Sequence, residues 1–233
     1  MVRPDTFQRF VDDASPLGAS LERRASPVRG DRVVNDEDLP RLGRYAGDVR
    51  LRVTGGAGQV GGPTAYCRRH GLEVSSLDLA VGDLDDPAGN VRRLLAALDV
   101  ALDAGDVLED TVVHLRVGGS RGLLTPSWLA ALDAIAEAEW VAALPLEAFD
   151  PLGAGGGDEG APGAGLAAWI DAAMDRETAV SFVGGSVEQA LAGLTTAARL
   201  WGDETDLARA RRWVRSWATE DPDAALDHLQ GLA

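Results

Sequence analysis

Short segments with the pattern of β-strands alternate along the chain with segments of helical periodicity. An apolar run or a period of two residues predicts a strand, and seven segments show one or the other. These segments are residues 7–11, 28–34, 48–53, 72–81, 111–117, 140–147 and 178–183. Pro145 marks an edge, a bend or the end of the sixth strand, because proline cannot donate a hydrogen bond to a neighbouring strand.

Helices are predicted between these strands from their start and stop residues. The clearest begins at Asp86-Pro87, carries apolar residues at helical spacing and ends at Gly105, and Thr125-Pro126 begins another. The predicted helices cover residues 36–46, 64–70, 87–104, 126–138, 166–176, 187–201 and 205–219, and a last short helix starts near Asp221-Pro222.

The alternation of strands and helices predicts an α/β fold with a parallel sheet. The segments V-T-G-G at 53–56, V-G-G-S at 117–120 and V-G-G-S at 183–186 recur at nearly equal spacing, with two strand–helix units in each interval. This repetition favours a single (β/α) barrel-like, TIM-like domain over residues 1–233 that can have fewer than eight strands, since no clear eighth strand is found. A doubly wound open parallel sheet is the alternative.

Two further segments bear on this organisation. The Gly-rich residues 152–165 follow a predicted strand and are interpreted as a flexible loop, either a tolerated insertion or a lid. Residues 205–219 are interpreted as a basic, aromatic helix with Leu207, Ala210, Val214 and Trp217 on its inner face. A face for a protein partner is the alternative interpretation of that helix.

The composition removes several chemistries. All 22 basic residues are arginine, so a Schiff-base lysine, a pyridoxal-phosphate anchor and a Walker-type phosphate loop are excluded. One cysteine and three histidines exclude an internal disulfide and a His- or Cys-rich metal cage, although an all-carboxylate site stays open. We therefore expect no cofactor and no metal, and the lone cysteine favours a cytoplasmic location.

The formal net charge is −15, and the excess of acidic residues lies almost entirely in residues 101–233. Such a surface repels phosphate backbones and anionic lipids, so nucleic-acid and membrane partners are not expected. The start of the chain has no apolar signal core, and no apolar run approaches the ~20 residues of a membrane helix. The sequence leaves the oligomeric state open.

Polar residues interrupt several predicted strands, although parallel strands are ordinarily apolar on both faces. Helices have to cover the apolar face, so the polar face is expected to point into the lumen of the barrel. The residues that this places inside are Arg52, Asp78, His114, Arg116 and Ser181. Since buried arginine needs a counter-charge, one interpretation is an anion or polyol site, and the other is an internal Arg–Asp network that binds nothing.

Three smaller features are candidates for chemistry. Gly184, Gly185 and Ser186 end a strand directly before a helix, so their N–H groups could hold a phosphate, or the glycines turn the chain and the serine caps the helix. Asp12-Asp13 could bind a cation or act as an acid–base pair, but only one of two adjacent strand residues faces a site. His114 is a candidate general base or a structural histidine.

The segment F-V-D-D-A at 10–14 resembles the start of an uncharacterised family of actinobacterial proteins with barrel-like βα repeats. Residues 211–232 are similar to the R-x-F-R-S-F-G-S-C-S-F-x-E-P end of that family. The family carries a K-x-R-T-G-G strand and an F-K-A-T-A-G-L-H-H strand. The corresponding segments here are A-A-L-P-L-E at 142–147 and V-S-F-V-G-G-S at 180–186, which lack the lysines and the paired histidines.

The resemblance therefore implies a divergent, non-catalytic member, and we assign no catalytic residue. The expected function is binding of a small anionic ligand or of a protein partner. The alternatives are an enzyme that acts on a small phosphorylated or carboxylated metabolite at the C-terminal ends of the strands, and a purely structural or interaction protein.

Overall fold

Eight parallel strands pair in chain order and close into one barrel. The computed structural model describes residues 5–18, 25–43, 45–117, 124–149, 164–202 and 206–232. The strands are β1 (Val11–Asp13), β2 (Arg29–Asn35), β3 (Val49–Arg52), β4 (Val74–Ala80), β5 (Val112–Arg116), β6 (Val141–Pro145), β7 (Val180–Val183) and β8 (Val214–Thr219). Because β1 pairs with β8, the sheet has no edge, and the fold is a (β/α)8 barrel of the TIM type rather than a doubly wound open sheet.

Eight helices are interspersed with the strands in the described part of the chain. They are α1 (Leu39–Leu42), α2 (Gly61–His70), α3 (Pro87–Asp103), α4 (Pro126–Glu137), α5 (Ala164–Met174), α6 (Val187–Leu200), α7 (Leu207–Ala210) and α8 (Pro222–Leu232). The predicted starts of two of them are confirmed by their caps. Asp86 accepts a hydrogen bond from the N–H of Gly89 at 2.9 Å, and Thr125 accepts one from the N–H of Trp128 at 3.4 Å.

The apolar core lies between the sheet and the helices. In β3 and β5, alternate residues such as Leu51 and Leu115 are completely buried on the face that the helices cover. On α3 the buried positions include Val91, Leu94 and Leu98, at the spacing of one helix face. The residues between the apolar positions of each strand therefore point into the lumen.

The eighth strand corrects the sequence analysis. The prediction of a helix over 205–219 is wrong, because only α7 is helical there and residues 214–219 form β8. Val180 and Phe182 of β7 pair with Val214 and Trp217 of β8, so β8 has one extra residue at this point. Because of this bulge, Val214 and Trp217 lie on the same face of β8 although they are three positions apart in the sequence. Apolar residues at that spacing are also typical of one face of a helix.

The bounds of the first strand also differ from the prediction. Residues 7–11 were expected to form it, but β1 begins at Val11 and includes both aspartates. Phe7 and Phe10 are buried in the turn before the strand, with their ring centroids 5.9 Å apart. Their apolar character therefore reflects packing beneath the barrel and not membership of the sheet. The predicted loop at 152–165 lies outside the described residues except at its last two positions, which begin α5.

Candidate functional site

Polar side chains fill the lumen and bond to one another across it. Contacts between the lumen-facing side chains of strands that are not neighbours in the sheet cross the interior, and three of these contacts define the network. Asp12 Oδ2 in β1 lies 3.0 Å from Arg50 Nη1 in β3, and the same nitrogen lies 3.3 Å from Ser216 Oγ in β8. His114 Nδ1 in β5 lies 2.9 Å from Ser181 Oγ in β7.

Asp78 is the centre of an arginine cluster towards the C-terminal ends of the strands. Arg52 Nε donates to Asp78 Oδ2 and Arg116 Nε donates to Asp78 Oδ1, both at 2.9 Å. Asp78 is fully buried, whereas the side chains of Arg52 and Arg116 are 19% and 29% exposed. The two arginines are the last residues of β3 and β5, which is why their side chains reach the mouth of the barrel.

Arg50 lies deeper, between two carboxylates. Its side chain is completely buried, and besides Asp12 it faces Asp78, whose Oδ2 is 3.9 Å from Arg50 Nε. The Nε and Nη2 atoms of Arg50 and the Nη2 atom of Arg52 are buried and have no hydrogen-bond partner. Buried N–H groups that make no bond are costly, so these donors mark places where a water molecule or a ligand would be stabilised.

The two carboxylates near Arg50 differ in their ionisation. Burial raises the pKa of Asp12 above its ordinary value, and Arg50 offsets this only in part. Burial also disfavours the charge of Asp78, but Arg50, Arg52 and Arg116 together outweigh burial and lower the pKa of that carboxyl. Asp78 is therefore a stable anion that holds three guanidinium groups, and the cluster keeps an excess of positive charge.

His114 and Ser181 form a separate pair in the lumen. Both are buried, and burial, together with the positive charges of Arg50 and Arg215, lowers the pKa of His114 well below its ordinary value. The imidazole is therefore neutral at pH 7. Its Nδ1 lies against a serine hydroxyl, a contact that suits a structural histidine, and the role as a general base stays a prediction.

The candidate residues at the end of β7 make bonds within the chain. The N–H of Gly184 donates to the carbonyl of Ala218 at 2.9 Å, and the N–H of Gly185 lies 3.4 Å from a carboxylate oxygen of Glu147. The N–H of Ser186 donates to Gln189 at 2.8 Å, and Ser186 Oγ accepts from the N–H of Gln189 at 3.3 Å in a capping box. Each of the three N–H groups thus faces an acceptor, one of them a carboxylate, at the place predicted for an anion.

Asp12 and Asp13 point to opposite faces of β1, as expected for neighbours in a strand. Asp12 enters the lumen. Asp13 accepts from Arg29 at 2.8 Å and from Arg32 at 2.5 Å, and Arg29 also contacts Asp223 of α8, which covers the outside of the barrel. Asp13 and its arginines therefore join β1, β2 and α8 outside the lumen.

The sequence analysis missed several members of the lumen, among them Arg50 and Ser216. Arg50 lies two residues before Arg52 and so shares the polar face of β3, but its position at the centre of the network follows only from the closed barrel. Ser216 was missed because its segment was interpreted as a helix, since the bulge in β8 breaks the alternation of V-R-S-W-A-T at 214–219 that would have indicated a strand. Residues 118–120, which carry the second diglycine, lie outside the described ranges.

The described residues contain neither a metal-binding cluster nor a helix that spans a membrane. No group of three or more His, Cys, Asp or Glu side chains converges in a way that could hold a metal ion. Within the same ranges, every helix is too short or too polar to cross a bilayer. Comparisons of the chain with protein-family models and with curated proteins give no match to either.

Proposed function

We propose that this protein binds a small anionic molecule at the C-terminal mouth of the barrel, through Arg52 and Arg116. The observation that carries the proposal is the imbalance of charge around Asp78. Arg50, Arg52 and Arg116 surround this one carboxylate, and Asp12 offsets only Arg50. One positive charge is thus left over at the mouth.

The way in which the arginines contact Asp78 supports the same proposal. Each uses its Nε, and among the described residues neither makes a further hydrogen bond. Their terminal nitrogens therefore have no acceptor among these residues, and Nη2 of Arg52 is the one that is buried. A guanidinium presents such nitrogens in the forked geometry that suits carboxylate and phosphate groups. Asp78 fixes both forks before the ligand arrives, which lowers the entropy lost on binding.

A cavity of about 240 Å³ beside Arg52 provides space for such a ligand. Ser15, Asn35 and Arg41 line it together with Arg52, so its wall offers hydroxyl, amide and guanidinium groups. Two acids, Asp38 and Glu220, also line it, and Asp38 is paired with Arg41 at 2.7 Å. The anionic group of a ligand therefore has to lie on the side of Arg52, away from Glu220. The cavity suits a small phosphorylated or carboxylated molecule with additional polar groups.

An enzyme that acts on a phosphorylated or carboxylated metabolite is the second candidate. Its support is the position of the cluster, because barrel enzymes carry their active sites at the C-terminal ends of the strands. We favour simple binding, since the titratable group of the cluster, Asp78, is buried and engaged by arginines on both oxygens. The lone buried Cys67 supports a cytoplasmic location for either function.

Thermal unfolding with inorganic phosphate or sulfate, at constant low ionic strength set with chloride, tests the proposal. Phosphate at about 100 times its Kd stabilises by about 2.7 kcal/mol, which raises the Tm of a chain of this size by roughly 5–11 °C. We expect Arg52→Gln and Arg116→Gln to lose most of this rise, and the matched surface variant Arg92→Gln to keep it. Equal rises in all three variants, or no rise in the unchanged protein, would refute the proposal.

A further inference from the structure

A second polar cavity, of about 220 Å³, lies at the opposite, N-terminal end of the barrel. It is lined by residues from the first halves of their strands or from the preceding turns. Those that matter here are Asp12, Asp31, Ser76, His114, Arg215 and Ser216. The cavity does not include Arg52 or Arg116, so it is separate from the site at the C-terminal mouth.

This cavity is built from side chains that proteins seldom bury. Asp12, Ser76, His114 and Ser216 come from four strands and are each at least nine-tenths buried, yet all face this cavity. Polar groups in such a position are stabilised only when hydrogen-bond partners fill the space between them. The groups around the cavity that lack a partner therefore indicate what it can bind.

The two carboxylates already have partners. Asp12 accepts from the N–H of Asp31 at 2.9 Å and from Arg50 at 3.0 Å. Asp31 accepts from Arg9 at 2.5 Å and from the hydroxyl of Ser75 at 2.6 Å. Each acid is thus matched by an arginine, and neither needs a bound cation.

Arg215 and His114 are the groups without such partners. Arg215 is exposed where it lines the cavity, and in the described part of the chain its guanidinium forms no ion pair. His114 uses only Nδ1, on Ser181, and Nε2 can donate in the tautomer in which Nδ1 accepts from the Ser181 hydroxyl. Arg215 lines the same cavity as His114, and its positive charge contributes to the lowered pKa of His114. A cation and an imidazole edge that both face the cavity, with the neighbouring acids already paired, point to an acceptor with a negative charge.

We propose that this cavity binds a small monocarboxylate. The carboxylate pairs with Arg215 and accepts from the ring of His114, and the side chain of Val112 offers an apolar wall to a short carbon chain. Asp12 and Asp31 line the same cavity, so a dianion such as phosphate meets repulsion that a monoanion largely escapes. The cavity therefore discriminates against dianions, whereas the arginine cluster at the C-terminal mouth suits phosphate as well as carboxylate groups.

Histidine ring NMR with sodium acetate as the probe tests this proposal at pH 7.5. The chain has three histidines, so His114→Gln identifies the signal of His114. We expect acetate, compared with chloride at equal ionic strength, to shift the His114 signal saturably and to leave those of His70 and His228 unchanged. A His114 signal that does not move with acetate would overturn the proposal.

Two variants identify the partner and separate the two sites. Arg215→Gln is expected to weaken acetate binding by about tenfold or more, because it removes a charged hydrogen bond. Arg212 is also exposed but does not line the cavity, so Arg212→Gln should keep the affinity. Arg116→Gln, which impairs only the proposed phosphate site, should keep the acetate response. Equal affinities in Arg215→Gln and the unchanged protein would also overturn the proposal, whatever the outcome with phosphate.

Discussion

Replacing Asp78 by asparagine tests whether this one carboxylate holds the interior of the barrel together. Asparagine has almost the same shape as aspartate but carries no charge, so the substitution creates no cavity. Arg50, Arg52 and Arg116 would lose the anion that they share. Any loss of stability then reports on electrostatics and not on packing.

The expected loss can be worked out from burial. Removing one partner of a buried ion pair costs about 3–5 kcal/mol, because a buried charge is left uncompensated. Arg52 and Arg116 are 19% and 29% exposed, so water screens part of their repulsion, and we expect a value near the lower limit, about 3 kcal/mol. For a chain of 233 residues this corresponds to a fall in Tm of roughly 6–12 °C.

Differential scanning calorimetry at pH 7 measures this loss, and Asp133→Asn is the matched control. Asp133 is 58% exposed and pairs with Arg176 at 2.6 Å on the surface, so its replacement should cost at most about 1 kcal/mol. The pKa of Asp78 is lowered in the fold, so its contribution is present above its unfolded pKa of about 3.8 and is lost only as pH falls further. The difference between the protein and Asp78→Asn should therefore persist at pH 5.

A second readout separates a charge effect from a general loss of structure. Without Asp78 three guanidinium groups are left with one carboxylate, so phosphate should raise the Tm of Asp78→Asn by more than that of the unchanged protein. If Asp78→Asn is as stable as Asp133→Asn, the carboxylate does not hold the cluster and the reasoning is wrong. If it is unstable but phosphate does not restore it, the excess of positive charge is not the cause.

Three other predictions concern pH, packing and reactivity. The pKa of His114 is lowered well below 6.5, so as the pH falls the unfolded chain takes up a proton before the folded protein does. At pH values below about 6.5 the free energy of unfolding should therefore decrease by up to about 1.4 kcal/mol per pH unit. Denaturant titrations should find this slope reduced in His114→Gln but not in His228→Gln. A Cβ on Gly193 would lie 2.5 Å from the ring of Phe182, so Gly193→Ala should destabilise the protein by about 1–3 kcal/mol in urea titrations. A Cβ on Gly62 meets nothing within 4 Å, so Gly62→Ala should be neutral or stabilise the protein by up to about 1 kcal/mol. Burial raises the pKa of Cys67 to about 11, so the native protein should react with a thiol reagent only as fast as it opens, and rapid labelling without denaturant would contradict this.

The local chemistry of the sequence determined most of the helices and the polar faces of the strands. Asp86 and Thr125 cap the helices that they were expected to begin, because capping depends on a side chain and a backbone N–H three residues away. The alternation in β3 and β5 placed Arg52 and Arg116 on one face, because the period of a strand is two. These features are decided within a few residues and can be read from the sequence.

Partners within the lumen were decided by the closure of the barrel. The strand pattern predicted that Arg52, Asp78 and Arg116 share an interior, but not that Arg50 would bond to Asp12 from two strands away. Which of Asp12 and Asp13 enters the lumen was equally open, since the sequence requires only that they point to opposite faces. The curvature of the sheet and its register settle both points.

β8 is the element that only the tertiary structure determined. Residues 207–217 have apolar positions at helical spacing, and the backbone N–H and C=O groups of a helix are bonded within the helical segment itself. A strand is stable only where neighbouring strands satisfy its N–H and C=O groups, and here β7 and β1 supply both edges. The pairing that closes the barrel joins the first and last strands of the chain, so no local pattern contains it.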